Sequence, residues 1–178
     1  MDETALIDKC LKGDQLSQRA LFEKYAPRMY TVCLRYAKDS EEAQDILQDT
    51  FIKIFKKLDA YNGMGSFEGW IRRITVNTAL DYIRKNVKFQ DNRQIENESY
   101  RIEQNTFLGD ALEEADLMQL ISEMPDGYRI VFNMFAIEGY SHKEIAEQLN
   151  ISENTSKSQY SRARGYLIQK LNEIGFER

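Results

Sequence analysis

SHKEIAEQLNISENTSKSQYSRARGYLIQKL, residues 141–171, is the stretch that decides the fold of the C-terminal part of this chain. Ser141 and Glu144 have the spacing of a capping box, in which each side chain bonds the other residue's backbone N–H, and this predicts the start of a short helix. Asn150 follows where the chain must reverse, and Asn is the non-glycine residue that best tolerates a left-handed backbone. The stretch therefore predicts a short helix and a tight turn.

A second helix is predicted after the turn, with Ser152 as its cap. It carries cations and no acids from Asn154 to Asn172. The inward face, at spacings of four, three and four residues, is predicted to hold Ser156, Tyr160, Ala163 and Leu167. Ser156 is its weak member, because an apolar residue would hold the helix more firmly. The outward and flanking residues are Asn154, Lys157, Ser158, Gln159, Ser161, Arg162, Arg164 and Gly165.

This pattern is typical of a helix-turn-helix, which places its second helix in the major groove of DNA. The alternative is a surface helix hairpin whose cations are merely solvated. The cap, the turn residue, the small Ala146 where the helices approach and the acid-free second helix occur together. Their combination favours DNA binding.

The composition is that of an ordinary globular protein, since 42% of the 178 residues are hydrophobic and 30% are charged. No stretch approaches the roughly 20 apolar residues that cross a bilayer, and residues 1–13 lack the order of a signal peptide. We therefore expect a cytoplasmic protein without a membrane span. Cys10 and Cys33 are expected to be buried free thiols. With His142 as the single histidine, we expect no metal site and no cofactor.

The net charge of −5 is unevenly distributed. Residues 91–126 hold ten acids and two arginines, whereas cations concentrate in residues 72–88 and 157–170. Because phosphate contacts need cations, the two basic segments are the candidate nucleic-acid surfaces. The sequence thus indicates two contact sites separated by an acidic middle.

Helical periodicity dominates the chain and alternating strand patterns are almost absent, so we predict an all-α fold. Residues 86–106 are polar with little apolar periodicity, which indicates a flexible, acidic linker. We predict two small helical domains, residues 1–90 and 109–178, joined by a linker at residues 91–108.

The helices of the first domain are predicted at Thr4–Lys12, at Ser17–Tyr36 with Asp14 near its cap, from a capping Ser40 to Leu58, and at Phe67–Val87. In the second domain, a helix capped by Asp110 and Glu113 is predicted to end at Pro125, and another to span Asp126–Ile137 before Gly139. The helix-turn-helix completes a four-helix domain.

The helix that begins at Phe67 has apolar residues on two opposite faces, which indicates packing from two sides. Between them runs a polar stripe of Arg73, Asn77, Asp81, Arg84 and Lys88, with Trp70 at its margin. The stripe is either the solvated edge of a bundle helix or a nucleic-acid contact. The glycine-rich loop before it, Tyr61–Ser66, has the composition to accept an unstacked base.

The helix of residues 40–58 has an outward stripe of Glu41, Asp45, Gln48, Asp49 and Ile52. A lone exposed Ile in such a stripe is commonly without function. It would also suit docking onto a basic or helical protein surface.

At these residues the chain resembles a bacterial RNA polymerase sigma factor of the extracytoplasmic-function (ECF) type. AQDILQDTFIKIFKKL, residues 43–58, resembles the region 2 helix that docks on the coiled coil of the polymerase β′ clamp. FEGWIRRITVNTALDYIRK, residues 67–85, resembles the segment that melts and reads the minus-10 promoter element. Residues 125–164 resemble region 4, which reads the minus-35 element. Three motifs in this order make the resemblance specific.

The resemblance implies three groups of contact residues, and it implies neither a catalytic residue nor a metal ligand. The residues implied to bind core polymerase are Asp45, Gln48, Asp49 and Ile52. Those implied to bind the minus-10 element are Tyr61, Asn62, Gly63, Met64, Gly65, Ser66, Trp70, Arg73, Asn77, Arg84 and Lys88. Those implied to bind the minus-35 element are Asn154, Lys157, Ser158, Gln159, Arg162 and Arg164. The chain departs from residues frequent in the family at Val76, Asn150 and Ser156.

By this resemblance we expect a transcription initiation factor that binds core polymerase at its β′ clamp and β flap, directs it to promoter DNA and helps to open the duplex. An anti-sigma protein is a further expected partner, because ECF factors are commonly held inactive by one. The alternative is a stand-alone helix-turn-helix regulator, which has no use for the outward stripe of residues 40–58. We expect no enzyme, since no acid cluster, histidine pair or phosphate-cradling loop is evident.

Overall fold

The computed structural model describes residues 2–86 and 114–175, and the regular elements in these ranges are helices. Residues 2–86 form α1 (Glu3–Leu11), α2 (Gln15–Tyr36), α3 (Ser40–Lys56), a short 3-10 turn (Leu58–Ala60) and α4 (Phe67–Asn86). Residues 114–175 form α5 (Glu114–Ser122), α6 (Asp126–Phe132), a π-helical turn (Asn133–Ile137), α7 (His142–Leu149) and α8 (Glu153–Glu173). The all-α prediction is confirmed, and the two ranges belong to separate compact units.

Some predictions fall on parts of the chain that the structure does not describe. Outside the described residues lie the predicted linker at residues 91–108, the predicted capping box of Asp110 and Glu113, and Lys88, which was predicted to contact DNA. The domain boundaries therefore stay predictions.

The first unit is built on α2, α3 and α4, with α1 packed against α2. Its largest fully buried side chains are Leu21, Met29, Tyr36, Ile46, Ile54, Phe67, Ile71 and Leu80. Burying each such side chain contributes about 1.5 to 3 kcal/mol, which makes this core the scaffold of the unit. Helix α4 is buried on two faces, as predicted, because Ile71 on one face and Val76 on the other are both inaccessible to solvent. Only a narrow edge of α4 remains exposed.

The start of α3 differs from the prediction by one residue. Asp39, rather than Ser40, is the cap, because its Oδ1 accepts a hydrogen bond from the backbone N–H of Glu42 at 2.8 Å. Asp39 has an extended backbone, whereas Ser40 is already helical. A carboxylate suits this position because it also interacts favourably with the positive end of the helix dipole. The cap of α2 is as predicted, since Asp14 accepts from the backbone N–H of Ser17 at 2.9 Å.

The second unit is built around α8, against which α5, α6 and α7 pack. Its core includes Ile121, Ile130, Met134, Ile145, Ala163 and Leu167. The single helix predicted for residues 126–137 is corrected, because the N–H of Glu138 bonds the carbonyl of Asn133 at 2.9 Å and closes a π-helical turn. Such a turn inserts one residue into the helical repeat, which changes the face that the following residues present. Gly139, with φ at 78°, ends the segment as predicted.

Cys10 and Cys33 are buried free thiols, as predicted. Burial raises the pKa of Cys33 to about 12, which keeps this thiol protonated and unreactive at neutral pH. Among the helices of residues 2–86 and 114–175, none combines the length and the apolar character that crossing a bilayer requires.

Candidate nucleic-acid interfaces

The turn between α7 and α8 has the geometry that the sequence predicts. The backbone N–H of Glu144 donates to the Ser141 hydroxyl at 3.2 Å, and the N–H of Ser141 donates to the Glu144 carboxylate at 2.8 Å. Asn150 ends α7 in the left-handed conformation, with φ at 55° and ψ at 46°. Ser152 then caps α8 by accepting from the N–H of Thr155 at 3.0 Å. These contacts fix the angle at which α8 leaves α7, and they confirm the helix-turn-helix.

Helix α8 presents a polar side to solvent. Its outward residues Asn154, Lys157 and Ser158 are exposed, and Arg162 and Arg164 are partly exposed. The Nζ of Lys157 lies 2.8 Å from the Glu153 carboxylate one turn earlier. Gly165, which was predicted to lie roughly outward, is instead buried. Apart from Gln159, the residues predicted to contact the minus-35 element thus have side chains that are at least partly accessible to solvent.

Gln159 is placed differently from the other predicted minus-35 residues. Its Oε1 is buried, and a Cβ atom at Gly127 in α6 would lie 3.2 Å from it. The amide of Gln159 therefore lies against α6, where the absence of a side chain at Gly127 makes room for it. The sequence gives no sign of this contact, because the two residues lie in different helices.

His142 lies in an aromatic cluster that the sequence does not predict. The imidazole stacks on the ring of Phe135 with 4.3 Å between centroids, and its edge meets Tyr160 at 5.9 Å. Ser156, the polar residue of the inward face, is fully buried beside this cluster. No local pattern could have indicated the group, which joins the π-helical turn, α7 and α8.

In the first unit, the loop before α4 has a defined shape. The Tyr61 hydroxyl donates to the carbonyl of Gly65 at 2.9 Å, and the N–H of Met64 donates to Oδ1 of Asn62 at 3.0 Å. Gly63 and Gly65 have φ angles of 74° and 81°, which side-chain-bearing residues rarely adopt. Met64 stands between them and is 78% exposed. The loop thus presents an apolar tip on a constrained backbone.

An aromatic cluster lies directly beneath this loop. The Tyr61 ring is 5.0 Å from the Phe67 ring and 5.6 Å from the Trp70 ring, measured between centroids. Phe67 is buried, whereas Tyr61 and Trp70 are partly exposed. Aromatic rings that are accessible on one side are the usual platforms on which unstacked bases lie.

The polar edge of α4 continues away from the loop. Arg73, Asn77 and Arg84 are exposed, and Asp81 is partly exposed. The Asp81 carboxylate accepts from Nζ of Lys53 in α3 at 3.0 Å and from Nη2 of Arg84 at 2.6 Å. Partial burial raises the pKa of Asp81, but the two hydrogen-bonded cations outweigh it, so the net shift is downward. Asp81 is therefore ionised at neutral pH.

The outward stripe of α3 is accessible over its whole length. Asp45, Gln48 and Asp49 are exposed, and Ile52 is 44% exposed. The opposite side of the helix is buried in the core, including Ile46 and Ile54. None of these four side chains is thus buried in the core of the first unit.

No group of three or more His, Cys, Asp or Glu side chains within residues 2–86 and 114–175 is arranged to hold a metal ion. The two surfaces instead offer cations, amides and aromatic rings, which are the groups that bind nucleic acid.

Comparison with protein families assigns both units. The model of sigma-70 region 2 matches residues 21–89, which include most of α2 and the whole of α3 and α4. The model of sigma-70 region 4 matches residues 114–167, which include α5 to α7 and most of α8. The chain belongs to the sigma-70 family. Sigma factors of this family direct RNA polymerase to promoters, and the resemblance stated from the sequence is confirmed.

Several relatives of this sigma factor are named as ECF sigma factors. It is 31% identical over 173 residues to the ECF RNA polymerase sigma factor SigE of Mycolicibacterium smegmatis, covering 92% of this chain and 65% of the relative. It is 26% identical over 186 residues to the ECF RNA polymerase sigma-E factor of Escherichia coli K12, covering 98% of this chain and 96% of the relative. This sigma factor thus spans less than two thirds of the first relative and almost the full length of the second.

Two solved structures share the fold of this sigma factor. The structure of CnrH in complex with the cytosolic domain of CnrY matches with a TM-score of 0.50 and 22% identity, over 95% of this chain and 96% of that one. The sigma factor RpoE of Bartonella quintana, in complex with the anti-sigma factor NepR, matches with a TM-score of 0.50 and 20% identity, over 88% of this chain and 97% of that one. At these identities the likeness establishes the fold alone.

Proposed function

We propose that this sigma factor binds core RNA polymerase in the cytoplasm, places it on promoters through two DNA contacts, and promotes melting of the duplex. The observation that carries the proposal is the presence, in one chain and in this order, of a region 2 unit and a region 4 unit whose helix-turn-helix is intact. The predicted division into residues 1–90, 91–108 and 109–178 belongs to this proposal. A transcription initiation factor of this kind needs no catalytic residue.

The second unit binds the minus-35 duplex through α8. Its helix-turn-helix orients the N-terminal half of α8, where Asn154, Lys157 and Ser158 are accessible. Arg162 and Arg164 extend the surface by one and a half turns and supply the fixed positive charge that phosphates and guanines attract. Gln159 lies on the same helix and was predicted to join this contact, but its side-chain amide packs against α6. The same unit would meet the β flap of the polymerase.

The first unit binds the melted minus-10 element through the loop of residues 61–66 and the edge of α4. A base that leaves the stack can lie against Trp70 and Tyr61, while Arg73 and Arg84 meet phosphates and Asn77 bonds a base or sugar. Lys88 is assigned to the same contact from the resemblance. Because this surface binds single-stranded DNA better than duplex, binding shifts the equilibrium toward the open state without a chemical step.

The outward stripe of α3 docks on the β′ clamp. Asp45 and Asp49 supply charge, Gln48 supplies hydrogen bonds, and Ile52 supplies the apolar anchor that a protein interface needs at its centre. Exposure of the stripe, with no core role in the unit, supports this assignment.

An anti-sigma protein is the second partner of the proposal. The support is that one of the matched structures is of a sigma factor bound to an anti-sigma factor. Such a partner would occupy surfaces that polymerase uses, and it would thereby hold the factor inactive.

Run-off transcription with purified core polymerase tests the proposed function. A promoter is first selected from a random DNA library by the reconstituted holoenzyme. We expect the chain to produce transcripts with one defined 5′ end on the selected DNA, and core polymerase alone to produce none. The rival stand-alone regulator predicts the opposite result, which is tight duplex binding by the free chain and no defined start with polymerase.

A further inference from the structure

Asp81 stands at a position where a negative charge is unexpected. It lies on the exposed edge of α4 between Asn77 and Arg84, and that edge is the one assigned above to the melted DNA strand. An isolated carboxylate there would repel phosphates. The structure shows that this carboxylate is not isolated.

Asp81 joins two cations from two different helices. One carboxylate oxygen bonds Lys53 of α3 at 3.0 Å, and the other bonds Arg84 of α4 at 2.6 Å. All three side chains are more than a third exposed, so a ligand from solvent can reach them. Two cations and one anion leave a net charge of about +1, which still attracts a phosphate.

The two ion pairs of Asp81 restrict the positions of the Lys53 and Arg84 side chains. Lys53 lies in the last turn of α3, which ends at Lys56. A free lysine side chain samples many rotamers, and ordering it when a ligand binds costs up to about 2 kcal/mol of conformational entropy. Because Asp81 holds Lys53 against α4, part of that cost is met before DNA arrives. The same carboxylate holds Arg84, so the two cations are presented side by side.

We propose that Lys53 and Arg84, held by Asp81, form a binding site for a phosphodiester group of the melted non-template strand. Lys53 is then a DNA contact outside the set that the sequence implied, and Asp81 is a positioning residue. The proposal rests on the proposed function, because it requires that the edge of α4 faces single-stranded DNA. It also places a DNA contact directly beside Ile52, the proposed anchor on polymerase.

The first test compares Lys53→Met with Lys12→Met, an exposed lysine in the turn after α1. Each variant is assembled with core polymerase, and binding to a fork-junction DNA with a single-stranded minus-10 segment is measured from about 50 to 200 mM salt. Loss of one phosphate contact should lower the slope of log K against log salt by about 0.7. The advantage of the wild type over Lys53→Met should therefore shrink about 2.5-fold across this range. Lys12→Met should keep the wild-type slope, and Lys53→Arg should restore it.

The second test separates positioning from charge. Asp81→Asn keeps the shape of the side chain and removes a negative charge, so simple electrostatics predicts tighter DNA binding. A positioning role predicts weaker binding at every salt concentration, and it predicts a smaller effect of Asp81→Asn when Lys53 is already Met. Tighter binding by Asp81→Asn would overturn the role given to Asp81.

Affinity for core polymerase is measured for each variant, because it distinguishes the remaining outcomes. An unchanged DNA slope for Lys53→Met overturns the phosphate site. If Lys53→Met leaves the salt slope of DNA binding unchanged but weakens binding to core polymerase, Lys53 belongs to the polymerase interface, and the phosphate site is again overturned. If the wild-type holoenzyme itself does not bind the fork junction, the proposed function fails, and that result is distinct from a variant-specific one.

Discussion

The Nδ1 atom of His142, in the first turn of α7, lies 2.9 Å from the hydroxyl oxygen of Ser156 in α8. This bond accounts for a polar residue on the buried face of α8, the second helix of the helix-turn-helix. A buried hydroxyl without a partner is destabilising, but one that is bonded is tolerated. The contact also ties the two helices of the helix-turn-helix together next to the capping box at Ser141.

Removing the hydroxyl tests the importance of this bond. Ser156→Ala should lower the free energy of unfolding of the second unit by about 1 kcal/mol, because Nδ1 of a partly buried ring loses its partner. Ser161→Ala, on the exposed side of α8, is the matched control and should change stability by less than about 0.5 kcal/mol. Hydrogen exchange of α7 and α8 amides in the full chain reports the second unit separately from the first. Equal protection in the two variants would contradict the prediction.

The protonation of His142 gives a second prediction. Burial lowers the pKa of the imidazole, the charge of Lys157 lowers it further, and Glu153 acts in the opposite direction. The unfolded chain, in which His has a pKa of about 6.5, therefore binds the proton more readily than the folded unit does. The contribution of neutral His142 to the free energy of unfolding is fully present above the pKa of the unfolded chain. It is lost as the pH falls through the lower pKa of the folded unit.

Hydrogen exchange, corrected for the intrinsic rate, measures this effect between about pH 5.5 and 7.5, where other side chains of the unit titrate little. We expect the protection of α7 and α8 to fall toward the acid end in the wild type. His142→Asn, which cannot titrate, should remove most of the pH dependence. A variant with the same pH profile as the wild type would show that another group is responsible.

Local patterns predicted the parts of the fold that depend on neighbours in sequence. The capping box of Ser141 and the left-handed Asn150 could be predicted because each involves residues a few positions apart. The partner of Ser156 could not, because His142 is reached only after the chain reverses. The contact of Lys53 with Asp81 could not be predicted for the same reason, because it joins residues in two helices, α3 and α4. Side-chain partners across helices depend on packing angles that periodicity does not contain.

The candidate site divides in the same way. The accessible stripe of α3 and the polar edge of α4 follow from helical spacing alone. The burial of the Gln159 amide does not, because it depends on the missing side chain of Gly127 in α6. Likewise, the π-helical turn after Phe132 shifts the following residues by one position, and no residue type in the sequence signals it.

The loop before α4 yields a third prediction. Gly65 has φ at 81°, and a Cβ atom there would have no neighbour within 4 Å, so Gly65→Ala acts only through the backbone. The left-handed conformation costs a side-chain-bearing residue about 1 to 2 kcal/mol, which should shift the loop away from the shape seen in the structure. We expect slower promoter opening, measured by permanganate reactivity of unpaired thymines.

Gly13 is a matched control for this substitution. It also has φ at 81° and open space around its Cβ position, but it lies in the turn between α1 and α2. Gly13→Ala should therefore produce a similar loss of stability and leave promoter opening unchanged. If both variants open promoters equally slowly, the effect comes from stability rather than from the loop.

The polymerase interface gives a fourth prediction. Combining Gln48→Glu with Ile52→Lys should reduce affinity for core polymerase at least tenfold, about 1.4 kcal/mol or more, because a charge replaces the apolar anchor. The fold should survive, since both side chains are exposed. Leu11→Lys is the control, because Leu11 is 49% exposed on α1 and lies outside the proposed interface. Fluorescence anisotropy of the labelled chain with core polymerase measures the affinity of both variants. If the double variant binds as tightly as Leu11→Lys, the α3 stripe is not the polymerase interface.

The fifth prediction concerns the role of Arg162 in α8. Arg162→Ala should weaken binding of the holoenzyme to the minus-35 duplex by about 1 to 3 kcal/mol if the guanidinium bonds a base edge, and by less if it meets only phosphate. Arg162→Lys separates the two cases, because lysine keeps the charge but lacks the bidentate fork. A base contact predicts that lysine fails to restore affinity and relaxes sequence preference at one position.

Lys170→Ala is the control for this helix, because Lys170 lies two turns further along α8 and is paired with Glu173 at 2.9 Å. Its removal should leave the sequence preference at the minus-35 element unchanged. Competition between selected and altered minus-35 sequences, at fixed salt, measures preference independently of overall affinity. If Arg162→Lys matches the wild type in both affinity and preference, Arg162 positions the helix on the backbone, and sequence recognition lies with Asn154, Lys157 and Ser158 nearer the start of α8.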